Sequence, residues 1–524
     1  MLSRGWHLVM QGARQLAGPL ACWWLAGILL AVLAKVLGIL VGGVVSLLGL
    51  LLLSAWLPAM VARSNHESWQ AGQFLYRWVL LMFTAVWWLP LGWLGYLATL
   101  QASIQLPATV QNIIFNTRYD WLPVAGPLWL LGWLISWKWL PALQRQLTAP
   151  TSWRNYWRTG WRISWWTVFK KSRNVWLFLI SWLVMAIISG GIVWASGAVS
   201  QLVSQFIAVF MMTGLQLLAW LMFMGWWSCL WPETAIAGHS NWQTGLLTLT
   251  GLLVLGGYAG WWLGTPPTAP LAIIAHRGVN GRDGVQNTTA ALKRTVKQVQ
   301  PDMVEMDIQP TADRHWVVMH DPTLKALAGQ PGPVHEYPVD KLSGLPLREH
   351  GQKGYLSTFK QYFAVAHKLQ QPLLVEIKSV GTADQLMGIF ADNYAQRLIQ
   401  QKGAVHSLDY RVIERLHQRA AQLPVGFITP FYLTDFSNSV AGFYSLQALT
   451  ATREQISAAH RQHRIVYFWT VDRPLAMQRL TAMGADGLIT NRPGQLRRLQ
   501  GQSKHYYFYQ LINWLVSYKL LKEV

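Results

Sequence analysis

Cysteine is almost missing from these 524 residues: Cys22 and Cys229 stand alone in apolar runs, in no CxxC or Cys/His cluster. That excludes a disulfide framework and a cysteine zinc site. It says nothing of compartment, because a domain of a few hundred residues buries enough core without staples. Acid is scarce in one half only. Residues 1–264 carry Glu67, Asp120 and Glu233, and the other 19 Asp and Glu follow. Only 12% of the whole chain is charged, against 52% hydrophobic and 32 Trp, which argues against an ordinary soluble protein. The formal charge of +21 is the kind that can accompany nucleic-acid binding. Here, however, 14 of the Lys and Arg sit mainly between apolar spans, where anionic lipid is the natural partner. The remaining 29 face 19 acids without a long basic run, so nucleic acid is not the expected partner.

A helix needs about 20 apolar residues to cross a bilayer. Seven stretches approach that length: Leu20–Ala34, Val36–Leu57, Trp78–Leu97, Leu122–Leu140, Val175–Ala195, Val203–Leu230 and Leu246–Leu263, with Lys35 alone separating the first two. The stretch Pro141–Asn174 holds Arg145, Arg154, Arg158, Arg162, Lys170, Lys171 and Arg173 and no acid, which places it in the cytoplasm. Counting spans outward puts the N-terminus inside, the weakly charged loop Ala98–Asp120 outside, and everything after Gly264 on the outer face. Trp153, Trp157, Trp161 and Trp165 recur every four residues, fitting either a helix in the headgroup layer or packing between spans. The expected organisation is a multi-pass α-helical membrane domain over 1–264, a stiff Pro-rich linker over 265–270, a soluble domain over 271–500, and an amphipathic helix over 501–524. That last helix, with Phe508, Leu511, Ile512 and Leu515 on one face and Lys519 and Lys522 beyond, fits the membrane surface, or packing against the soluble domain.

From Leu271 onward, short β-rich runs alternate with helical stretches, as βα units do. Strands are expected at Leu271–His276, Met303–Ile308, Trp316–His320, Leu373–Ile377, Val425–Thr429, Ile465–Thr470 and Gly487–Thr490, and an eighth near Ala404–Leu408. At roughly 230 residues this fits an α/β (β/α)8 TIM barrel. His276, His320, Glu376 and Trp469 fall at or near strand ends, which converge on the face where such barrels build active sites. Glu305 and Asp307, two apart on a strand, share a side, as do Glu376 and Lys378. Three carboxylates aimed at one cavity repel one another unless a cation neutralises them, and hard oxygen donors favour Mg²⁺ or Ca²⁺.

The ordered set His276-Arg277-Gly278, Asn287-Thr288, Glu305-Met-Asp307, His320-Asp321-Pro-Thr-Leu324, Glu376-Ile-Lys378, Trp469-Thr-Val and Asp486-Gly-Leu-Ile-Thr-Asn491-Arg-Pro resembles the glycerophosphodiester phosphodiesterase family across Leu271–Arg498. The resemblance implies a membrane-bound, metal-dependent phosphodiesterase that hydrolyses glycerophosphodiesters, lipid headgroups or a glycerophosphate polymer to glycerol phosphate and an alcohol. It implies His276 and His320 as the acid/base pair and Glu305, Asp307 and Glu376 as metal ligands. Arg277, Lys378 and Trp469 would be substrate contacts. Where the family usually reads Glu-Asn-Thr, this chain has Gln286-Asn-Thr, one carboxylate fewer beside the site. The N-terminal half resembles, in architecture alone, the membrane domain fused ahead of this catalytic domain in some bacterial members. Two other readings are a non-catalytic binding barrel on a transporter-like membrane module, and a phospholipase D-like enzyme acting on intact lipids.

Overall fold

The computed structural model describes residues 2–67, 70–88, 110, 113–114, 117–230, 242–264, 267, 270–380, 383–429, 439–500 and 503–517. It divides into two compact units, one of helices and one mixed, and the helix Tyr506–Ser517 belongs to the first.

The helical unit contains α1 (Leu2–Leu16), α2 (Ala21–Leu40), α3 (Gly43–Ser64), α4 (Ala71–Trp88), α5 (Arg118–Thr148), α6 (Trp153–Arg162), α7 (Trp165–Gly197), α8 (Gln201–Leu230) and α9 (Trp242–Leu263). Among the described residues five segments are long and apolar enough to cross a membrane: Ala21–Leu40, Gly43–Ser64, Leu179–Gly197, Gln201–Ser228 and Trp242–Leu263. The expected span Leu122–Leu140 lies inside α5, interrupted by Pro123 and Pro127, and is not among the five. The later half of Trp78–Leu97, most of Ala98–Asp120, part of the linker, Lys519 and Lys522 lie outside the described residues.

The boundary between the first two spans differs from the sequence expectation. Lys35 is buried within α2, and the chain turns instead at Gly42 and Gly43, whose φ of 66° and 58° suit glycine. One lysine with a long apolar stem does not break a helix, whereas two adjacent left-handed residues do. α1 lies close along α8: a methyl on Gly12 would collide with the Leu221 carbonyl and one on Gly225 with that of Leu8, so the glycines permit the approach. Trp24 packs edge-on against Trp56, Phe223 and Trp227, each with ring centroids 5.8 Å away. Of the tryptophan stripe, Trp157 and Trp161 stand edge-on to Trp139 at 5.5 and 4.8 Å, and Trp153 meets Tyr76 at 5.9 Å. That is packing between helices. The helix Tyr506–Ser517 buries Tyr507, Leu511 and Trp514, and Trp514 lies 6.2 Å from Trp182 of α7. It belongs to the helical unit.

The second unit is a closed barrel of eight parallel strands: β1 (Ala272–Ala275), β2 (Met303–Pro310), β6 (Leu373–Ile377), β7 (Ala404–Ser407), β8 (Val425–Thr429), β9 (Phe443–Gln447), β10 (Ile465–Trp469) and β11 (Gly487–Thr490), with β11 pairing back to β1. Between β2 and β6 come β3 (Trp316–Val318), antiparallel to the end of β2, and the hairpin β4 (Pro346–Glu349)–β5 (Gln352–Tyr355). The expected eight is thus the right number with one wrong member. Trp316–His320 is a hairpin arm outside the barrel, and Phe443–Gln447 takes its place in it. Ile274, Leu374, Ala404, Phe443 and Ile489 form one buried cluster along these strands. Gly426 faces Phe443, whose ring occupies the volume that a side chain there would need.

Candidate active site

Strand pairing carries the chemistry. Asp307 on β2 stands opposite Glu376 on β6, and Glu376 opposite His406 on β7. Residues in register on neighbouring strands share a face, so these three and Glu305, two residues before Asp307, line one side of the sheet. Glu305, Asp307 and His406 are nearly inaccessible, at 2%, 1% and 2%.

Lys378 reaches back to bridge two carboxylates, 2.5 Å from Glu376 Oε1 and 2.8 Å from Asp307 Oδ1. Arg277 adds its guanidinium Nε at 3.5 Å from Asp307 Oδ2, which also accepts from the Asn287 side-chain amide at 2.8 Å. The Arg277 backbone is left-handed, with φ 53°, and its N–H donates to Glu305 Oε2 at 2.9 Å while its carbonyl accepts from the N–H of Asn287. Burial would raise the Asp307 carboxyl, but Lys378 and Arg277 outweigh it and hold the group well below the usual range. Burial raises Glu305 well above that range, and the charges of Asp307 and Glu376 push the same way. Glu376 is raised too, by burial, with Lys378 opposing. Lys378 is the converse: burial would lower it, yet Asp307 and Glu376 keep it firmly protonated.

Of the two histidines, His276 stands where the sequence placed it and His320 does not. His276 follows β1 directly, in a short turn. Its Nδ1 lies 2.8 Å from Asn491 Oδ1, and the Asn491 side-chain amide donates to Asp472 Oδ2 at 2.7 Å. A carboxylate can only accept from that amide, so the Asn491 oxygen faces His276 and Nδ1 carries the proton, leaving Nε2 a lone pair. Burial, with Arg277 nearby, pushes the ring down to about 4, which keeps it neutral at pH 7. His320 is not at the end of a barrel strand. It sits just past β3, on a loop whose carbonyls at Met319, His320 and Asp321 all accept from the buried Gln309 side-chain amide, at 2.9, 3.1 and 2.7 Å. Its Nδ1 is 2.8 Å from Asp321 Oδ1. Burial lowers His320, reinforced by Lys378 and Arg277 and opposed by Asp307 and Asp321.

Gln286 explains its own departure from the resemblance. Its side-chain oxygen accepts from Arg277 Nη1, while its amide donates to Glu349 Oε1 at 2.7 Å and its backbone N–H to Glu349 Oε2 at 2.8 Å. The amide thus links a cation to a carboxylate supplied by the β4–β5 hairpin. Trp469 ends β10 and its indole N–H donates to the Ser445 carbonyl at 2.9 Å.

Sequence reasoning missed His406, Gln309, Glu349 and Asp472. Ligand atoms of Glu305, Glu376 and His406 all lie within 4.8 Å of one another, in a group that could hold a metal ion. Asp307 is outside that group, its oxygens turned to Lys378, Arg277 and Asn287. Two carboxylates and an imidazole converging at this spacing fit a divalent cation.

The site joins carboxylates, His276 and two cationic side chains at the barrel's strand ends with His320 on the adjoining β3 loop, and the match to phosphodiesterases defines its class as a barrel hydrolase of phosphoric diesters. The particular family follows from comparison: residues 276–495 match the glycerophosphoryl diester phosphodiesterase family, and the C-terminal half of the chain carries a domain of that family. The chain is 28% identical over 239 residues to the protein YhdW of Bacillus subtilis (strain 168), covering 42% of this chain and 94% of that one. It is 26% identical over 241 residues, 43% of this chain and 96% of the relative, to the glycerophosphodiester phosphodiesterase of Caldanaerobacter subterraneus subsp. tengcongensis. Among solved structures, an Oleispira antarctica phosphodiesterase in complex with the product sn-glycerol-3-phosphate aligns at 18% identity and a TM-score of 0.39, over 44% of this chain and 96% of that chain.

Proposed function

We propose that this chain is a membrane-anchored, divalent-cation-dependent phosphodiesterase that cleaves glycerophosphodiesters, or the glycerophosphate headgroups of lipid or polymer, to glycerol phosphate and an alcohol. The observation that carries the reading is the pair of histidines, each fixed through Nδ1 by an acceptor and flanking a carboxylate cluster braced by Lys378 and Arg277. A binding module needs no such pair.

The roles follow from the bonds. His276, neutral with a lone pair on Nε2, takes the proton of the attacking hydroxyl or water. His320 gives a proton to the leaving alkoxide. Asp321 stabilises its charged form, and an arriving phosphodiester anion offsets the repulsion from Lys378 and Arg277. Arg277 and Lys378 neutralise the phosphoryl oxygens, and Trp469 at the end of β10 offers an indole face to the alcohol portion. A divalent cation on Glu305 and Glu376, with Asp307 adjoining on β2, would supply further stabilisation of developing charge on phosphorus-bound oxygen. The five apolar helices support membrane anchoring, and the Lys and Arg of α6 and early α7 support an outward-facing barrel.

The test is release of glycerol phosphate from glycerophosphocholine by full-length protein in detergent, with and without EDTA. Release is expected to stop with EDTA and return with added cation. His276→Ala and His320→Ala should each lower kcat by roughly 10²–10⁴-fold. Turnover that survives both substitutions would end the acid/base assignment.

A further inference from the structure

His406 has no role in the chemistry above, yet its placement is costly. It is 2% exposed on β7, directly opposite Glu376, and its Nδ1 lies 2.9 Å from Ser445 Oγ on β9. Its other ring nitrogen, Nε2, is buried without a hydrogen-bond partner among the described residues. A buried polar atom left unpaired costs about 1–3 kcal/mol, a cost that a ligand bound at Nε2 would offset. Glu305, Glu376 and His406 each offer one ligand atom within 4.8 Å of the others, and with Nδ1 engaged by Ser445 the ring nitrogen left to bind is Nε2. Ser445 can hold the ring through Nδ1, the arrangement that turns a histidine into a fixed metal ligand.

We infer that His406 is a direct ligand of the catalytic cation, and that the imidazole shifts this site from Mg²⁺ or Ca²⁺ toward Mn²⁺ or Co²⁺. The inference rests on the cation site proposed above and adds the nitrogen donor to it. Carboxylate oxygens alone suit Mg²⁺ and Ca²⁺, which bind imidazole poorly; a mixed oxygen and nitrogen set raises affinity for Mn²⁺ and more so for Co²⁺. Phe443, with its ring centroid 6.2 Å from that of His406, forms an apolar wall beside the donor.

The experiment is cation binding, independent of turnover. Chelator-stripped full-length protein in detergent is titrated calorimetrically with Mn²⁺, Co²⁺, Mg²⁺ and Ca²⁺, and the Mn²⁺ form is examined by pulsed EPR for coupling to a ligand ¹⁴N. Wild type is expected to prefer Mn²⁺ over Mg²⁺ by at least about tenfold and to show the ¹⁴N coupling. His406→Gln should lose the coupling and most of the preference, while keeping Mg²⁺ binding within about twofold, which also shows that the variant is folded. Glu376→Gln should weaken all four cations. If wild-type Mn²⁺ shows no ¹⁴N coupling, or His406→Gln keeps the preference, the imidazole is not a ligand and the inference falls, while loss of binding in Glu376→Gln leaves the carboxylate site standing. If no cation binds to wild type at all, the cation site falls as well.

Discussion

At position 286 a single side-chain amide decides the local electrostatics. It donates to Glu349 at 2.7 Å and accepts from Arg277, so it satisfies an anion and a cation at once. The glutamate usual at this place in the family would put two carboxylates at that separation. Gln286→Glu is therefore expected to harm this protein: the lost bond and the new repulsion amount to about 1–3 kcal/mol, read as a lower melting temperature and weaker kcat/KM. The double variant Gln286→Glu/Glu349→Gln should recover most of the loss by restoring one donor opposite one acceptor. If the single variant matches wild type in both measurements, Gln286 is not bridging the two charges. The sequence displayed the substitution but not its partner, because Glu349 lies 63 residues away in a hairpin whose only signals are two short runs around His350-Gly351. His406 was hidden for a related reason. One histidine in Ala-Val-His-Ser has the look of ordinary core, and only strand register sets it beside Glu376.

At the scale of elements, the barrel was legible where strands are continuous apolar runs flanked by turn residues, as in Leu271–Ala275, Leu373–Ile377 and Ile465–Trp469. β9 was not, because Phe443–Gln447 carries Ser445 and Gln447 and lacks any Val or Ile. Trp316–Val318 has the better strand sequence and is indeed a strand, but periodicity does not report which sheet position a strand takes. Three helices of the barrel are capped by threonine: Thr288, Thr358 and Thr452 each accept from a backbone N–H three residues on. One further link ties the ends of two strands. Asp486 Oδ2 accepts from the Val466 N–H at 2.7 Å and from His460 Nε2 at 2.9 Å, which raises His460 above its ordinary value. A raised folded-state pKa gives stability that is fully present below the unfolded value, about 6.5, and is lost as pH rises through the folded one. The His460 side chain is 41% exposed, so the contribution is under about 1 kcal/mol. The barrel of His460→Ala should melt below wild type at about pH 6 and together with it at about pH 9. A gap that persists undiminished at the higher pH would show that His460 acts by packing and not by charge.

For the whole molecule, the division of charge is the largest feature, and it makes a claim about sidedness. Arg154, Arg158, Arg162, Lys170, Lys171 and Arg173 fall within α6 and the first turns of α7, a short basic stretch with no acid between apolar segments. Such a stretch resists translocation, so it is expected on the cytoplasmic side, and α7, α8 and α9 then each carry the chain across once. On the proposed topology three crossings would leave the barrel outside, where a phosphodiesterase would meet lipid-derived or extracellular diesters. The barrel offers a direct probe. Tyr355, on the β4–β5 hairpin, is 65% exposed, and in a background with Cys22 and Cys229 changed to Ser, Tyr355→Cys supplies the one thiol. A membrane-impermeant maleimide added to intact cells, with outer barriers made permeable, should label it as fully as after lysis. Labelling seen only after lysis would put the barrel in the cytoplasm. The crossing count after α6 would then be even, and the enzyme's substrates would be the diesters released by phospholipid turnover inside the cell.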